Sequence, residues 1–173
     1  MKLIEFDGLE FKVADEAFLI RQIRELFEAD KSKKKDQFWR QISYLWFMCD
    51  PRSTYQYITD EISRSLEIKA QEGLGVDWEP SDELREAMDI YRKHTITTSA
   101  LLLESMRKGI DKLSTFLGET TFTDKTVAAM TSALKQIPEL AKALVEAEKS
   151  LAKDFDTDDK ARGNATKAIG EDV

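Results

Sequence analysis

"YLWFMCDPRSTY", residues 44–55, places six apolar residues in succession and follows them with a proline. Six consecutive residues point in every direction around a helix axis, whereas a helix packed on one side needs apolar residues on one face only. Tyr44, Trp46 and Phe47 must therefore be enclosed on all sides, by other helices of this chain or by a neighbouring chain. Pro51 disfavours helical geometry at Asp50. The stretch predicts a central helix of a helical bundle that ends there.

The residues after this helix predict a rigid turn. Asp50 and Arg52 flank Pro51, and aspartate side chains commonly accept hydrogen bonds from the backbone two residues further on. We expect an Asx-type turn and a local ion pair between Asp50 and Arg52, with Ser53 completing the structural turn. The expected role is to fix the angle between two helices.

Composition limits the functions that the chain can have. The 173 residues are 42% hydrophobic and 34% charged, enough apolar material for a core, and the net charge of -7 disfavours general binding to a phosphate backbone. Cys49 is the single cysteine, which excludes an intramolecular disulfide and a multi-cysteine zinc site. We expect an intracellular protein that is neither secreted nor embedded in a membrane, since the longest apolar run is far shorter than the roughly 18 residues of a membrane span.

The N-terminal segment predicts a β-hairpin over residues 1–13. Asp7 and Gly8 are suited to the positive φ angles of a two-residue turn, and they separate two short runs of β-favouring residues. The apolar side chains of these runs are Ile4, Phe6, Leu9, Phe11 and Val13. An isolated two-stranded ribbon is marginally stable in water. Either a helix or another chain must therefore cover it.

The remainder predicts a mainly α fold, a bundle of about five or six helices with one long helix. We expect a helical domain over 14–154 and a flexible tail over 155–173, whose sequence lacks apolar spacing. Within the domain, Leu19 is expected in a buried stripe, Thr59 as a helix cap, and Ile62 and Leu66 facing inward. Ser81 should cap a helix of about 35 residues with a kink or a change of packing partner at "TITTS", residues 95–99. Pro138 should break or kink a later helix.

The sequence contains few residues in the arrangements typical of catalytic sites. His94 is the single histidine and has no spaced acid or nucleophile around it. Ser53 lacks the glycine-flanked turn that exposes a nucleophilic serine, and no phosphate-binding glycine loop occurs. The sequence therefore predicts a protein that is not an enzyme and that uses no cofactor or metal.

One basic cluster, "KSKKK" at residues 31–35, leaves a nucleic-acid function open. Its lysines are Lys31, Lys33, Lys34 and Lys35. They could contact phosphates, but no aromatic residues are interleaved for base stacking, so a solvated connector between helices is the favoured interpretation.

Three stretches resemble small virion proteins of tailed phages that infect Bacteroidetes, the crAss-like podophages among them. They are "SYLWFMCDPRSTY", "EGLGVDWEPSDELREAMDIYRK" and "ALLLESMRKGIDKLSTFL", and the resemblance covers roughly residues 1–120. It implies a structural role as a ring or adaptor protein of the head-tail connector, stacked below the portal in the virion and assembled in the host cytoplasm. Such rings are typically twelvefold, which implies contacts with copies of itself, with the portal and with other tail or ring proteins.

The residues and the resemblance together predict a protein interface at the ribbon and the aromatic helix end. Tryptophan and tyrosine bury much area in protein contacts. The predicted interface comprises Ile4, Phe6, Leu9, Phe11, Tyr44, Trp46, Phe47, Arg52 and Tyr55. Two alternatives stay open: an assembly scaffold or chaperone, and a small nucleic-acid-binding regulator.

Overall fold

A computed structural model describes residues 3–6, 8–75, 77–121 and 123–168, with side chains described as far as Phe155. The chain divides into two compact units, a first unit Met1–Ile96 and a second unit Thr97–Val173. The described residues form two short strands and six α-helices, which confirms the predicted mainly α fold with an N-terminal hairpin.

The hairpin pairs β1 (Ile4–Phe6) with β2 (Phe11–Val13) in antiparallel register, with Ile4 opposite Val13 and Phe6 opposite Phe11. Gly8 adopts a φ of 95°, which a residue without a Cβ reaches without strain. Because Phe6 pairs with Phe11, four residues separate the paired strands, and the predicted two-residue turn is wrong. Asp7, the other predicted turn residue, lies outside the described residues. Ile4 is fully buried, and Phe6 and Phe11 stack at 4.5 Å between ring centroids. The ribbon is thus covered by its own chain.

Two short helical segments follow the ribbon. A 3₁₀ helix, Asp15–Leu19, leads into α1 (Arg21–Ala29), whose Ile23 and Leu26 enter the core as the periodicity predicts. Leu19 is exposed, and its predicted burial is wrong. The 3₁₀ segment advances by about 120° per residue rather than 100°, so the α-helical spacing that links Leu19 to the buried stripe does not apply there.

The aromatic helix is α2 (Asp36–Cys49), and it is the centre of the first unit. All six residues of the apolar run are buried, as predicted for a central helix. It ends at Cys49, with Asp50 in extended geometry before Pro51. A 3₁₀ helix, Thr54–Tyr57, follows and leads to the next α-helix.

Two predictions about α3 (Glu61–Gln71) are wrong. Its N-cap is Asp60, whose carboxylate accepts from the backbone N–H of Ser63, and not Thr59. Ile62 is 73% exposed and Leu66 53%, because the inward face carries Ile68 together with two buried cations that have polar partners. Those cations are Arg64, which donates to the carbonyl oxygens of Met48 and Ile58, and Lys69, whose Nζ lies 2.7 Å from Glu79.

The predicted long helix is two helices. Ser81 caps α4 (Asp82–Thr95), as expected, through its hydroxyl and the N–H of Leu84. The helix ends at Thr95, and Thr97 caps α5 (Thr98–Glu119) through the N–H of Ala100. Ile96 and Thr97 are both extended, so the β-branched stretch ends one helix and starts another, at the boundary between the two units.

The second unit is a helical hairpin of α5 and α6 (Val127–Ala168). Its buried cluster joins Ala100 and Leu103 of α5 to Ala147, Leu151 and Phe155 of α6, which makes the helices antiparallel. Pro138 lies inside α6 and does not end it. The predicted tail, 155–173, includes the last part of α6 as far as Ala168, and residues 169–173 lie outside the described residues. Its mobility stays a prediction.

Candidate functional site

The D-P-R-S turn is held by a buried polar network around Asp50. The carboxylate is fully buried, and its Oδ1 accepts from the backbone N–H and the Nε of Arg52, at 2.9 and 2.8 Å. Its Oδ2 accepts from Nη2 of Arg52 at 2.8 Å and from the hydroxyl of Tyr91 at 2.6 Å. The Asx-type turn and the ion pair expected from the sequence are both present.

Arg52 also joins this turn to the ribbon, because its Nη2 donates to the backbone carbonyl of Ile4 at 2.8 Å. Ser53 completes the turn: its hydroxyl donates to the carbonyl oxygen of Phe47 and accepts from the N–H of Tyr55. Four segments of the first unit therefore meet at one turn, namely β1, the end of α2, the following 3₁₀ helix and α4. Arg52 contacts both carboxylate oxygens of Asp50, and both oxygens accept two hydrogen bonds. The turn is therefore a rigid joint.

The pKa values of the network follow from its burial. Desolvation, with the charge of Asp50 and the hydrogen bond to it, raises the pKa of Tyr91 well above its ordinary value. Desolvation alone would lower the pKa of Arg52, but the hydrogen bonds and charge of Asp50 raise it. Burial also raises the pKa of Cys49 to about 12. These groups hold their protonation states at neutral pH, and a thiol with so high a pKa is a poor nucleophile.

The predicted interface residues come together in the core of the first unit. Phe6 and Phe11 contact the rings of Trp46 and Phe47 at centroid distances of 5.3 to 5.8 Å, and Phe47 contacts Tyr55 at 5.1 Å. Ile4, Tyr44, Trp46 and Phe47 are buried, and Phe6, Phe11, Arg52 and Tyr55 are partly buried. Leu9 is 92% exposed at the hairpin turn. Contacts of these residues with another chain stay a prediction, and those of Trp46 and Phe47 would require the ribbon to move off α2.

The sequence contained no signal for two members of the network. Tyr91 lies 41 residues beyond Asp50 on a different helix, and the acceptor in β1 is a backbone atom. Tyr91 has helical spacing to the apolar Leu84 and Met88, and a buried phenol requires a hydrogen-bond partner, but that spacing does not identify the partner.

The second unit exposes large apolar side chains on both of its helices. Its exposed large apolar side chains are Leu101, Leu102, Phe116, Val127, Leu134, Ile137 and Val145. Each helix of a two-helix hairpin has only one neighbour, so an apolar stripe broader than that contact remains open to solvent. On α6, Val127, Leu134 and Val145 are 44–47% exposed.

These three residues belong to one face of α6, which we call the α6 seam. It consists of Val127, Leu134, Pro138, Ala141, Val145 and Ala152, spaced by three, four or seven residues, and all six are exposed. Exposed Lys135, Lys142 and Lys149 recur every seven residues directly along one border, and exposed Glu139 and Glu146 lie beyond them on the same side. An apolar strip with a basic border is typical of a surface that binds another protein helix or an acidic surface.

Two lysines of the basic cluster at residues 31–35 have a structural role. Nζ of Lys35 donates to the carbonyl oxygens of Phe27 and Asp30, and Nζ of Lys31 donates to that of Glu28. These lysines satisfy the free carbonyls at the end of α1, where the helix dipole favours cations. Lys33 and Lys34 are exposed.

Concave and metal-binding sites give little further indication of function. A half-open pocket of about 400 Å³ is lined by polar and acidic side chains, including Glu25, Asp30, Gln41 and Glu83. The described residues hold no cluster of three or more histidine, cysteine or acidic side chains placed to bind a metal ion.

His94 is exposed in the last turn of α4. None of the helices, over the residues described, combines the length and apolarity of a membrane span.

No protein-family model matches this chain, and neither a curated protein nor a solved structure matches it.

Proposed function

We propose that this protein is a non-enzymatic structural subunit that acts by associating with copies of itself. The observation that carries the proposal is the open apolar surface of the second unit. Large aliphatic side chains at 44–54% exposure recur along α5 and α6, in a chain that encloses the aromatic run of α2 completely. Soluble proteins rarely leave such contiguous surface open unless a partner covers it.

The rigid joint at Asp50 supports the same role. A subunit of a closed assembly must present its surfaces at a fixed angle, because small angular errors accumulate around a ring. Asp50, Arg52 and Tyr91 bind the ribbon, α2 and α4 of the first unit to one another without a mobile hinge. A rigid joint of this kind supports a structural role rather than a catalytic one.

Within this class we propose a place in the virion of a tailed phage, as a ring or adaptor subunit of the head-tail connector below the portal. The support is the resemblance of the aromatic helix, the D-P-R-S turn and the later helices to small phage virion proteins, and it carries the expectation of a ring, typically twelvefold. An acidic surface also suits a conduit for DNA, since it repels the passing genome.

Two measurements test the proposal. Mass photometry and size-exclusion chromatography with light scattering, across about 0.1 to 100 µM protein, should show oligomers that grow with concentration; a strict monomer over this range would refute self-association. Mass spectrometry of purified virions then tests the location. Detection only in immature particles would favour an assembly scaffold or chaperone instead.

A further inference from the structure

The α6 seam is bordered on one side by a lysine row, and this border limits what can cover it. Two seams facing each other in a symmetric pair would bring Lys135, Lys142 and Lys149 of one copy near the same lysines of the other. Like charges placed opposite each other destabilise a contact. A seam-to-seam dimer is therefore disfavoured, and the favoured occupant combines apolar side chains with acidic neighbours.

The first unit carries such a surface on α3. Ile62 and Leu66 lie one turn apart and are 73% and 53% exposed. We call these two residues the α3 patch. Glu61 and Glu67 lie on either side of it along the helix, and Glu61 is exposed. Glu61 pairs with Arg92 at 3.3 Å, so Glu67 is the acidic border of the patch, opposite in charge to the lysine row of the seam.

We propose that the α6 seam of one copy docks on the α3 patch of a second copy, so that the subunits associate head to tail. The aliphatic side chains of the patch pack against Leu134 and Val145, and Glu67 lies within reach of Lys135 or Lys142. This inference rests on the proposed self-association and specifies its interface. Because the two surfaces differ, each bound copy still offers a free seam and a free patch, and the contact can repeat into a ring or an open chain.

The contact should be weak for a single pair and should gain strength by closure. A single helix docked on a short patch buries less than the roughly 1,200 Å² of total surface typical of stable complexes. A closed ring makes one further contact than an open chain of the same number of subunits, and closure is intramolecular, so its effective concentration is high. Assembly should therefore rise steeply with concentration.

Charge reversal in the full-length protein tests the interface. Lys135→Glu with Lys142→Glu should weaken association by about 10- to 100-fold, since acids would then face Glu67. Glu67→Lys should do the same from the other side. The control for the first variant is Lys33→Glu with Lys34→Glu, an equal charge change on exposed residues of the first unit, and Glu28→Lys is the control for the second. Circular dichroism verifies that each variant is folded.

Mixing the two defective variants decides between a head-to-tail contact and any symmetric one. The lysine variant keeps its α3 patch and the Glu67→Lys variant keeps its α6 seam, so these two surfaces should pair. The reversed seam of the first and the reversed patch of the second also carry opposite charges, so an equimolar mixture should form alternating oligomers larger than dimers, whereas a symmetric contact between seams would stop at 1:1 heterodimers. Failure of the mixture to associate, or unchanged association of either variant, would overturn this interface while leaving self-association intact. A wild-type protein that stays monomeric would overturn both proposals.

The apolar strip and lysine row of the α6 seam would also suit an anionic membrane, and vesicle binding tests this alternative. Wild-type protein is sedimented with vesicles of phosphatidylserine and phosphatidylcholine and, as a control, with vesicles of phosphatidylcholine alone. The head-to-tail proposal expects no cosedimentation with either. Binding to the anionic vesicles that is lost in the lysine variant would assign the seam to lipid and overturn the proposal.

Discussion

The hydroxyl of Tyr91 donates a 2.6 Å hydrogen bond to the fully buried carboxylate of Asp50, across 41 residues of sequence. This contact connects α4 to the turn at the end of α2, and Arg52 extends the connection to β1 through the carbonyl oxygen of Ile4. A buried carboxylate is stable only while its partners remain. The stability of the first unit therefore depends on a few side chains that are far apart in sequence.

Tyr91→Phe should lower the free energy of unfolding by about 1.5 to 3 kcal/mol, because it removes a hydrogen bond to a buried charged group and leaves the ring in place. Urea unfolding followed by tryptophan fluorescence measures it. Tyr57→Phe, at an exposed tyrosine, is the matched control and should change stability by less than about 0.5 kcal/mol. Equal effects of the two variants would show that the network contributes little.

Trp46→Ala should cost about 3 to 5 kcal/mol, since the side chain is buried against the ribbon and its loss leaves a cavity. Trp46→Phe should cost far less than that. It retains an aromatic ring and removes the indole N–H, a buried donor with no hydrogen-bond partner among the described residues. Trp39→Ala, at a tryptophan that is 37% exposed, serves as the control. Chemical denaturation of all three variants gives the comparison, and equal losses for Trp46→Ala and Trp39→Ala would contradict the enclosed position of Trp46.

Asp30 should make the first unit sensitive to acid. Hydrogen bonds from the backbone N–H groups of Phe38 and Ser32 lower its pKa from 3.8 to about 2. A pKa that is lower in the folded state means that the ionised form stabilises the fold. This contribution is complete above about pH 4 and is lost as the pH falls toward 2.

Asp30→Asn should accordingly reduce stability at pH 6, and the difference from the wild type should shrink as the pH falls through this window. Thermal unfolding at a series of pH values measures the difference. Asp36→Asn controls for the loss of one negative charge in the same region. A stability difference for Asp30→Asn that stays constant between pH 6 and pH 2 would show that the Asp30 carboxylate does not support the fold as its hydrogen bonds indicate.

The two units should behave differently when they are separated. A fragment of residues 1–96 has a core that joins the ribbon to α1, α2, α3 and α4, and it should unfold cooperatively at all concentrations. A fragment of residues 97–173 buries a small cluster and leaves much apolar surface open, so its helical circular dichroism should rise with concentration between about 1 and 100 µM. Full helicity that does not depend on concentration would show that α5 and α6 are sufficient for each other.

Elements with a local cause could be predicted from the order of the residues. Six apolar residues shortly before a proline predicted an enclosed helix that ends before Pro51, and Asp7-Gly8 between two β-favouring runs predicted a hairpin. The Asx turn at Asp50 and the cap at Ser81 also follow from residues within three positions of each other. These features depend on backbone sterics and nearest neighbours, which the order of residues specifies directly.

Tertiary packing, by contrast, governs which apolar residues are covered and which side chains cover them. Ile62 and Leu66 have helical spacing suited to a core, yet Arg64 and Lys69 occupy the inward face because distant carbonyl and carboxylate oxygens satisfy them. Tyr91 meets Asp50 only where α4 packs against the end of α2. Trp46 and Phe47, which were predicted to bind other chains, are buried against the ribbon, while α5 and α6 expose several large apolar side chains. Burial depends on what surrounds a residue in space, and spacing along one helix cannot specify that.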